Sequence, residues 1–184
     1  MLKINYMEHK ITLHNFIGHL HTINTHRRLV RKLCFKIGLY RQGLTHDLSK
    51  YSLTEFWSGV RYYQGDKSPI TAEIKEKSYS EAWLHHKGRN KHHWQYWITV
   101  RKGVIIPNEM PIRYIKEMAC DRIAACMTYE KEKYHSSSAL EFLLGSAEAR
   151  VMPPKTVEIL KKYLTVVAEN DLDKALAMIK EMDK

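Results

Sequence analysis

The sequence predicts an all-α protein. Apolar residues recur at three- and four-residue steps over long stretches, and helix-start patterns built from Ser-x-x-Glu or Pro precede several of those stretches. The strict alternation of a half-buried strand is almost absent. At 184 residues the chain is long enough for one domain with a substantial core and short for two. We read it as one domain over 1–184, with a core of about 10–130 and C-terminal helices over 138–184 packed on it.

In chain order, Leu13, Ile17, Leu20, Ile23, Val30, Leu33 and Ile37 form one stripe of a long amphipathic helix. His26 falls within that stripe and is expected to face inward. Gly38 and a turn at Gly43 end the helix and deliver the chain to His46. Ser52-Leu53-Thr54-Glu55 is a capping-box pattern that starts a helix through Tyr63. Gly65 to Pro69 reads as a loop, with Pro69 opening the next helix. Tyr79 to Trp97 predicts a helix through His86, a break near Gly88-Arg89-Asn90, and a further helical turn from His92. The β-branched run Ile98 to Ile106 around Gly103 predicts a short hairpin or an extended loop. Ile112 to Tyr129 is helical, with Asp121 at the edge of its apolar face. Ser138-Ala139-Leu140-Glu141 is a second capping box, Pro153-Pro154 opens a helix to about Ala168, and Asp171 to Met182 forms a last amphipathic helix.

Composition narrows the class. Hydrophobic residues make up 44% and charged residues 27%, as in ordinary soluble globular proteins. No apolar run approaches the roughly 18 residues that span a bilayer, and Met1 to Lys10 lacks an apolar export core. Cys34, Cys120 and Cys126 form no Cys-x-x-Cys motif, and three is an odd number. These features predict a cytoplasmic protein without membrane association. The net charge of +10 is unevenly placed. Seven Lys/Arg against the single acid Asp47 lie between Arg27 and Lys50, and five with no acid lie between Lys87 and Lys102. The positive charge travels with the histidine-rich segments, as expected of a site that attracts an anion such as phosphate. A generally basic surface is the alternative.

The residue pattern suggests metal ligands. His46-Asp47 places an imidazole and a carboxylate together where a helix ends, and both are good donors for divalent ions. One carboxylate can bridge two cations while the adjacent histidine binds one of them. A helix-capping aspartate beside a surface histidine is the competing reading. Asp121 lies mid-helix among Met118, Ala119 and Ala125, where an unpaired carboxylate is costly unless coordinated or bridged to an arginine such as Arg122. His85-His86 and His92-His93 offer further imidazoles. Neighbours on a helix point about 100° apart, so at most one of each pair would face a given centre. Trp94, Tyr96 and Trp97, with the basic windows, would suit stacking on nucleic acid.

The ordered set His26, His46-Asp47, His86, His92 and Asp121, with Lys50 three places after Asp47, resembles the HD-domain superfamily of metal-dependent phosphohydrolases. His46-Asp47-Leu48-Ser49-Lys50 is similar to the His-Asp-x-x-Lys form common there, and His92-His93 to the paired histidines of members with a second metal. The likeness covers roughly Asn15 to Tyr129. No Gly-Tyr-Pro follows His92-His93, which counts against a cyclic-dinucleotide esterase.

The resemblance implies an HD-like helical bundle. His26, His46, Asp47 and Asp121 would form a primary site for Mn, Fe, Zn, Ni or Mg, with His86 and His92 as candidates for a second ion. It implies roles for Asp47 and Lys50 in catalysis, and for Lys50, Arg89 and Lys91 in holding a small phosphate-bearing substrate. Di-iron oxygenases that resemble myo-inositol oxygenase use a similar ligand order and supply an alternative chemistry. A non-enzymatic nucleic-acid binder is the third reading.

Overall fold

The computed structural model describes residues 11–183, so the expectation about Met1 to Lys10 lies outside the described residues. The predicted all-α class holds: helices dominate, and the described strands form a single two-stranded sheet. None of the described helices is long and apolar enough to cross a membrane.

Helix α1 (Leu13–Lys36) begins at Thr12, whose side chain accepts from the Asn15 amide. Its buried stripe is His19, Ile23, His26, Val30, Leu33 and Cys34. This corrects the start of the expected stripe, because Leu13 and Ile17 are exposed. His19 takes the inward position, packed against Phe56 and Tyr63. Gly38, at φ +81°, makes the left-handed turn after α1. The chain then forms a short helix that the sequence did not announce, α2 (Tyr40–Thr45). Gly43 is no turn residue. It is buried within α2, and a Cβ there would approach the Phe35 ring to 3.0 Å.

Helix α3 (Leu53–Arg61) starts at Ser52, which accepts from the Glu55 amide. The reciprocal half of that capping box is missing, because the Glu55 carboxylate turns to His85 and His86 instead. Helices α4 (Pro69–Lys77) and α5 (Glu81–Lys87) follow. The buried Glu73 carboxylate ties α3, α4 and the cap of α5 together by accepting from Ser58 (2.8 Å), Lys77 (3.2 Å) and Ser80. Strands β1 (Ile98–Arg101) and β2 (Val104–Pro107) pair antiparallel in the predicted hairpin. Lys102 and Gly103 both have positive φ, as a two-residue primed turn requires.

Helix α6 (Ile112–Glu130) packs against both α1 and the C-terminal helices. Helix α7 (Ser138–Gly145) has no side-chain cap, contrary to the second expected capping box. Ser138 Oγ bonds Glu130 and the His135 amide instead. Helices α8 (Pro154–Glu169) and α9 (Leu172–Glu181) begin where Pro154 and the Asp171 cap place them. Leu160, Tyr163, Leu164, Leu176 and Ile179 share one apolar core with Val30, Leu33, Ile115 and Ile123. The C-terminal helices are therefore part of the core that fixes α1 against α6. Those two helices supply the first and last residues of the site.

Candidate metal centre

Four elements bring ligand-capable atoms together. His26 comes from the inner face of α1, His46 and Asp47 from the turn after α2, His86 from the last turn of α5, and Asp121 from α6. His92 and His93 follow the turn after α5. Arg27 braces the His46 turn: its guanidinium donates to the carbonyls of His46 (2.8 Å) and Leu44 (3.3 Å) and to the Tyr51 hydroxyl (3.1 Å). Asp47 itself adopts left-handed backbone angles, φ 53° and ψ 26°. Aspartate tolerates that region better than most residues, and such conformations concentrate at functional positions.

The two carboxylate oxygens of Asp47 face different imidazoles. Oδ2 lies 3.4 Å from His46 Nε2 and 3.7 Å from His26 Nε2. Asp121 Oδ1 completes that group at 3.0 Å from His26 Nε2 and 3.4 Å from His46 Nε2. Oδ1 of Asp47 lies 3.3 Å from His86 Nε2 and 3.4 Å from His92 Nε2. Two donors about 2.1 Å from one ion stand roughly 3.0 Å apart at a right angle and 3.4 Å apart at a tetrahedral angle. The spacings of 3.0–3.4 Å fall in that range and the 3.7 Å one lies just beyond it, so the donors on either side of Asp47 could surround a metal ion.

Several of these atoms lack ordinary partners. Asp47 Oδ1 and the Nε2 atoms of His92 and His93 are buried without a hydrogen bond, whereas Asp47 Oδ2 pairs with Lys50 at 2.7 Å and His26 Nε2 with Asp121 at 3.0 Å. Abandoning buried polar atoms is costly unless a ligand completes them. The donor set therefore fits divalent cations, and the groupings His26/His46/Asp47/Asp121 and Asp47/His86/His92/His93 can each hold an ion.

The other ring nitrogens are organised. Glu117 Oε1 lies 2.9 Å from His46 Nδ1 and 3.2 Å from His92 Nδ1. Glu55 Oε2 lies 2.7 Å from His86 Nδ1. A proton held on Nδ1 by a carboxylate leaves the Nε2 lone pair free for a cation and fixes the ring. Sequence reasoning missed both glutamates as site residues. Glu117 stands one helical turn before Asp121, so two carboxylates at i and i+4 on an apolar face were the available signal. His86 is the inward member of its pair, while His85 turns to the Glu55 carboxylate from the outer side. His93 is the less buried of the second pair and packs edge-on against Trp83.

Charge reinforces the geometry. Burial alone would raise the pKa of Asp47, but His46, Lys50, His86 and His92 outweigh it and hold the carboxyl well below its usual range. Asp121 is likewise held well below, against burial, by His26 and His46. Burial opposes protonation of His46, yet Asp47, Asp121 and Glu117 push its pKa up to about 10. Burial and then Lys50 lower that of His26. A proton on His46 and the ammonium of Lys50, whose Nζ is 2.7 Å from Asp47 Oδ2, offset the carboxylates.

A cavity of about 590 Å³ opens onto the cluster, reaching His26, Asp47, His86, His93 and Asp121. Lys50, Lys67 and Arg122 place cations on its wall, and Met118, Ala125 and Phe142 give it an apolar side. Arg122 bonds Glu148 at 3.0 Å rather than Asp121. Arg89 and Lys91, expected to hold the substrate, do not line this cavity. They line a second recess, of about 400 Å³, with His46, His92 and Glu117 at its back. Trp94 faces the main cavity and Trp97 packs on Tyr114, so of the three aromatics expected to stack on nucleic acid only Tyr96 is exposed.

Residues 15–166 match the model of a family, DUF5662, described as a family of unknown function. The chain belongs to DUF5662. The match spans every ligand-capable residue of the cluster, from His26 to Asp121, so the centre lies wholly within the DUF5662 region. Nothing among curated proteins or solved structures matches the chain.

Proposed function

We propose that this chain is a metal-dependent phosphohydrolase of the HD type, acting on a nucleotide or another small phosphate ester. The observation that carries the reading is the division of Asp47: one oxygen faces His26 and His46, the other His86 and His92. A carboxylate shared between two cation sites is the arrangement that two-ion phosphoryl chemistry uses. The order of the ligands in the chain, and Lys50 three places after Asp47, agree with the resemblance to the HD superfamily.

Divalent ions bound here would supply Lewis-acid polarisation of a phosphoryl oxygen and a water acidified for attack. The chain's own residues do the rest. Asp47 and Asp121 hold the ligand sphere, while Glu117 and Glu55 orient the imidazoles. Lys50, at the mouth of the cluster, moves from Asp47 to the substrate phosphate and neutralises charge that develops there. Arg122 and Lys67 stand on the same wall to hold the phosphate. The apolar side of the cavity receives the remainder of the substrate.

The test is phosphate release from a panel of nucleoside monophosphates and simple phosphomonoesters, using protein supplemented with Mn. The reading expects turnover that falls about a hundredfold or more in Asp47→Ala while the helical fold persists. Metal-loaded protein that releases no phosphate from any member of the panel contradicts it. Turnover that requires iron and O₂ would assign the site to oxygenase chemistry instead.

A further inference from the structure

The second recess, behind the metal cluster, carries a cluster of cations that does not line the main cavity. Arg41 of α2, Arg89 and Lys91 of the turn after α5, and Arg113 of the first turn of α6 line it together. All four are exposed. No ion pair joins any of them to an acid among the described residues. The carboxylate at the back of the recess, Glu117, is already engaged by His46 and His92. Four like charges thus surround a space of about 400 Å³ whose one lining carboxylate is Glu117.

Two further features sharpen the site. Lys91 Nζ and Arg113 Cζ lie 5.9 and 5.8 Å from the centroid of the same Tyr114 ring, which draws the two cations together at one end of the recess. Arg113 also stands in the first turn of α6, a helix of 19 residues with no acid in that turn. The positive end of a helix disfavours a cation and favours an anion. Placing an arginine there adds to the potential.

We propose that this recess is a binding site for a small anion bearing two or more phosphate groups. Three guanidinium groups and one ammonium from three parts of the chain surround a space of about 400 Å³, several times larger than a single phosphate fills. A chain of two or three phosphates spans such a set, and guanidinium is the side chain best shaped to hold phosphate oxygens in pairs. The His46 and His92 rings stand between this recess and the main cavity: each points Nε2 at Asp47 and Nδ1 at Glu117. The two sites share no lining residue. The inference stands without the hydrolase reading.

Calorimetric titration of the full chain with inorganic tripolyphosphate tests it, beside Asp47→Ala, Arg41→Ala/Arg113→Ala, and the remote control Lys161→Ala/Lys174→Ala. The expected result is saturable binding that Asp47→Ala and the remote pair leave within about twofold, and that Arg41→Ala/Arg113→Ala weakens about tenfold or more. Melting of each variant establishes that the fold is kept, and all four substituted cations are exposed. Three results overturn the proposal. One is binding lost in Asp47→Ala but kept in Arg41→Ala/Arg113→Ala, which places the anion at the metal cluster. Another is equal loss in the remote pair, which makes the attraction nonspecific. The third is no saturable binding at millimolar tripolyphosphate.

Discussion

Replacing Glu117 with Ala removes the carboxylate that holds Nδ1 of both His46 and His92, at 2.9 and 3.2 Å. His46 belongs to the group around Asp47 Oδ2 and His92 to the group around Oδ1, so one substitution loosens a ligand of each cation site. Losing such a backing carboxylate typically costs about 10–100-fold in metal affinity, or roughly 1.4–2.7 kcal/mol per ion. At an ion concentration about a thousand times the dissociation constant, binding stabilises a fold by about 4.1 kcal/mol. The variant keeps roughly 1.4–2.7 kcal/mol of that. For a chain of this size the metal-induced rise in melting temperature should shrink by about 3–10 °C per ion. Differential scanning calorimetry with and without Mn or Zn measures this, and competition with a chromophoric chelator gives the affinities. The reasoning is refuted if Glu117→Ala binds ions as tightly as the native protein. It is also refuted if the metal-free melting temperature falls while the metal-induced increment is unchanged.

Ion affinity should rise with pH. His46 holds a proton with a pKa pushed up to about 10, so an ion at its Nε2 must displace that proton, and the logarithm of affinity gains about one per pH unit between pH 6 and 8. In the metal-free protein the sign is opposite. The stabilisation from protonated His46 is complete below its unfolded pKa of about 6.5 and is lost as pH rises toward 10, so titrations at pH 6, 7 and 8 should show the metal-induced increment growing; a flat increment would show that no proton is released. Gly59→Ala places a Cβ 2.0 Å from His19 Nε2, where α3 meets α1, and should cost about 1–3 kcal/mol of stability by overpacking, read by urea unfolding. Glu73→Gln should cost about 1–3 kcal/mol near neutral pH. Burial tends to raise the Glu73 pKa, but bonds from Ser80, Ser58 and Lys77 hold it below the ordinary value. The stabilisation is therefore present above the unfolded pKa of about 4.3 and lost as pH falls through the folded one. Native and variant curves should converge in acid, and a gap that persists there would contradict the assignment.

The helices were legible because their signals are local. The stripe from Ile23 to Leu33, the prolines before α4 and α8, and Asp171 before α9 each place an element within a residue or two. The grouping of His26 with His46-Asp47 and Asp121 comes only from the ordered likeness to the HD superfamily, because taken singly each residue has an ordinary alternative as a core histidine, a helix cap or an arginine-bridged carboxylate. What the sequence concealed was mostly a matter of direction. Glu55 fits a capping box, and only the packing of α3 on α5 shows that its carboxylate serves His86. Arg89 and Lys91 are neighbours of the ligands in sequence. The tight turn at Asn90, whose amide and side chain both bond the His86 carbonyl, sends them to the far side of His92. The stripe of α1 drifts at Leu13 and Ile17 because His19, seven residues before His26 and so able to share its face, is the one that packs inward.

The central claim is that Asp47 joins two cation sites. Elemental analysis of protein purified without chelator, then dialysed against excess Mn, Fe or Zn and gel-filtered, tests it most directly. The structure predicts about two ions per chain in the native protein, loss of both in Asp47→Ala, and about one retained in His86→Ala or in His26→Ala. No bound metal in folded native protein under any of these ions would contradict the account, as would an Asp47→Ala variant that keeps its full complement.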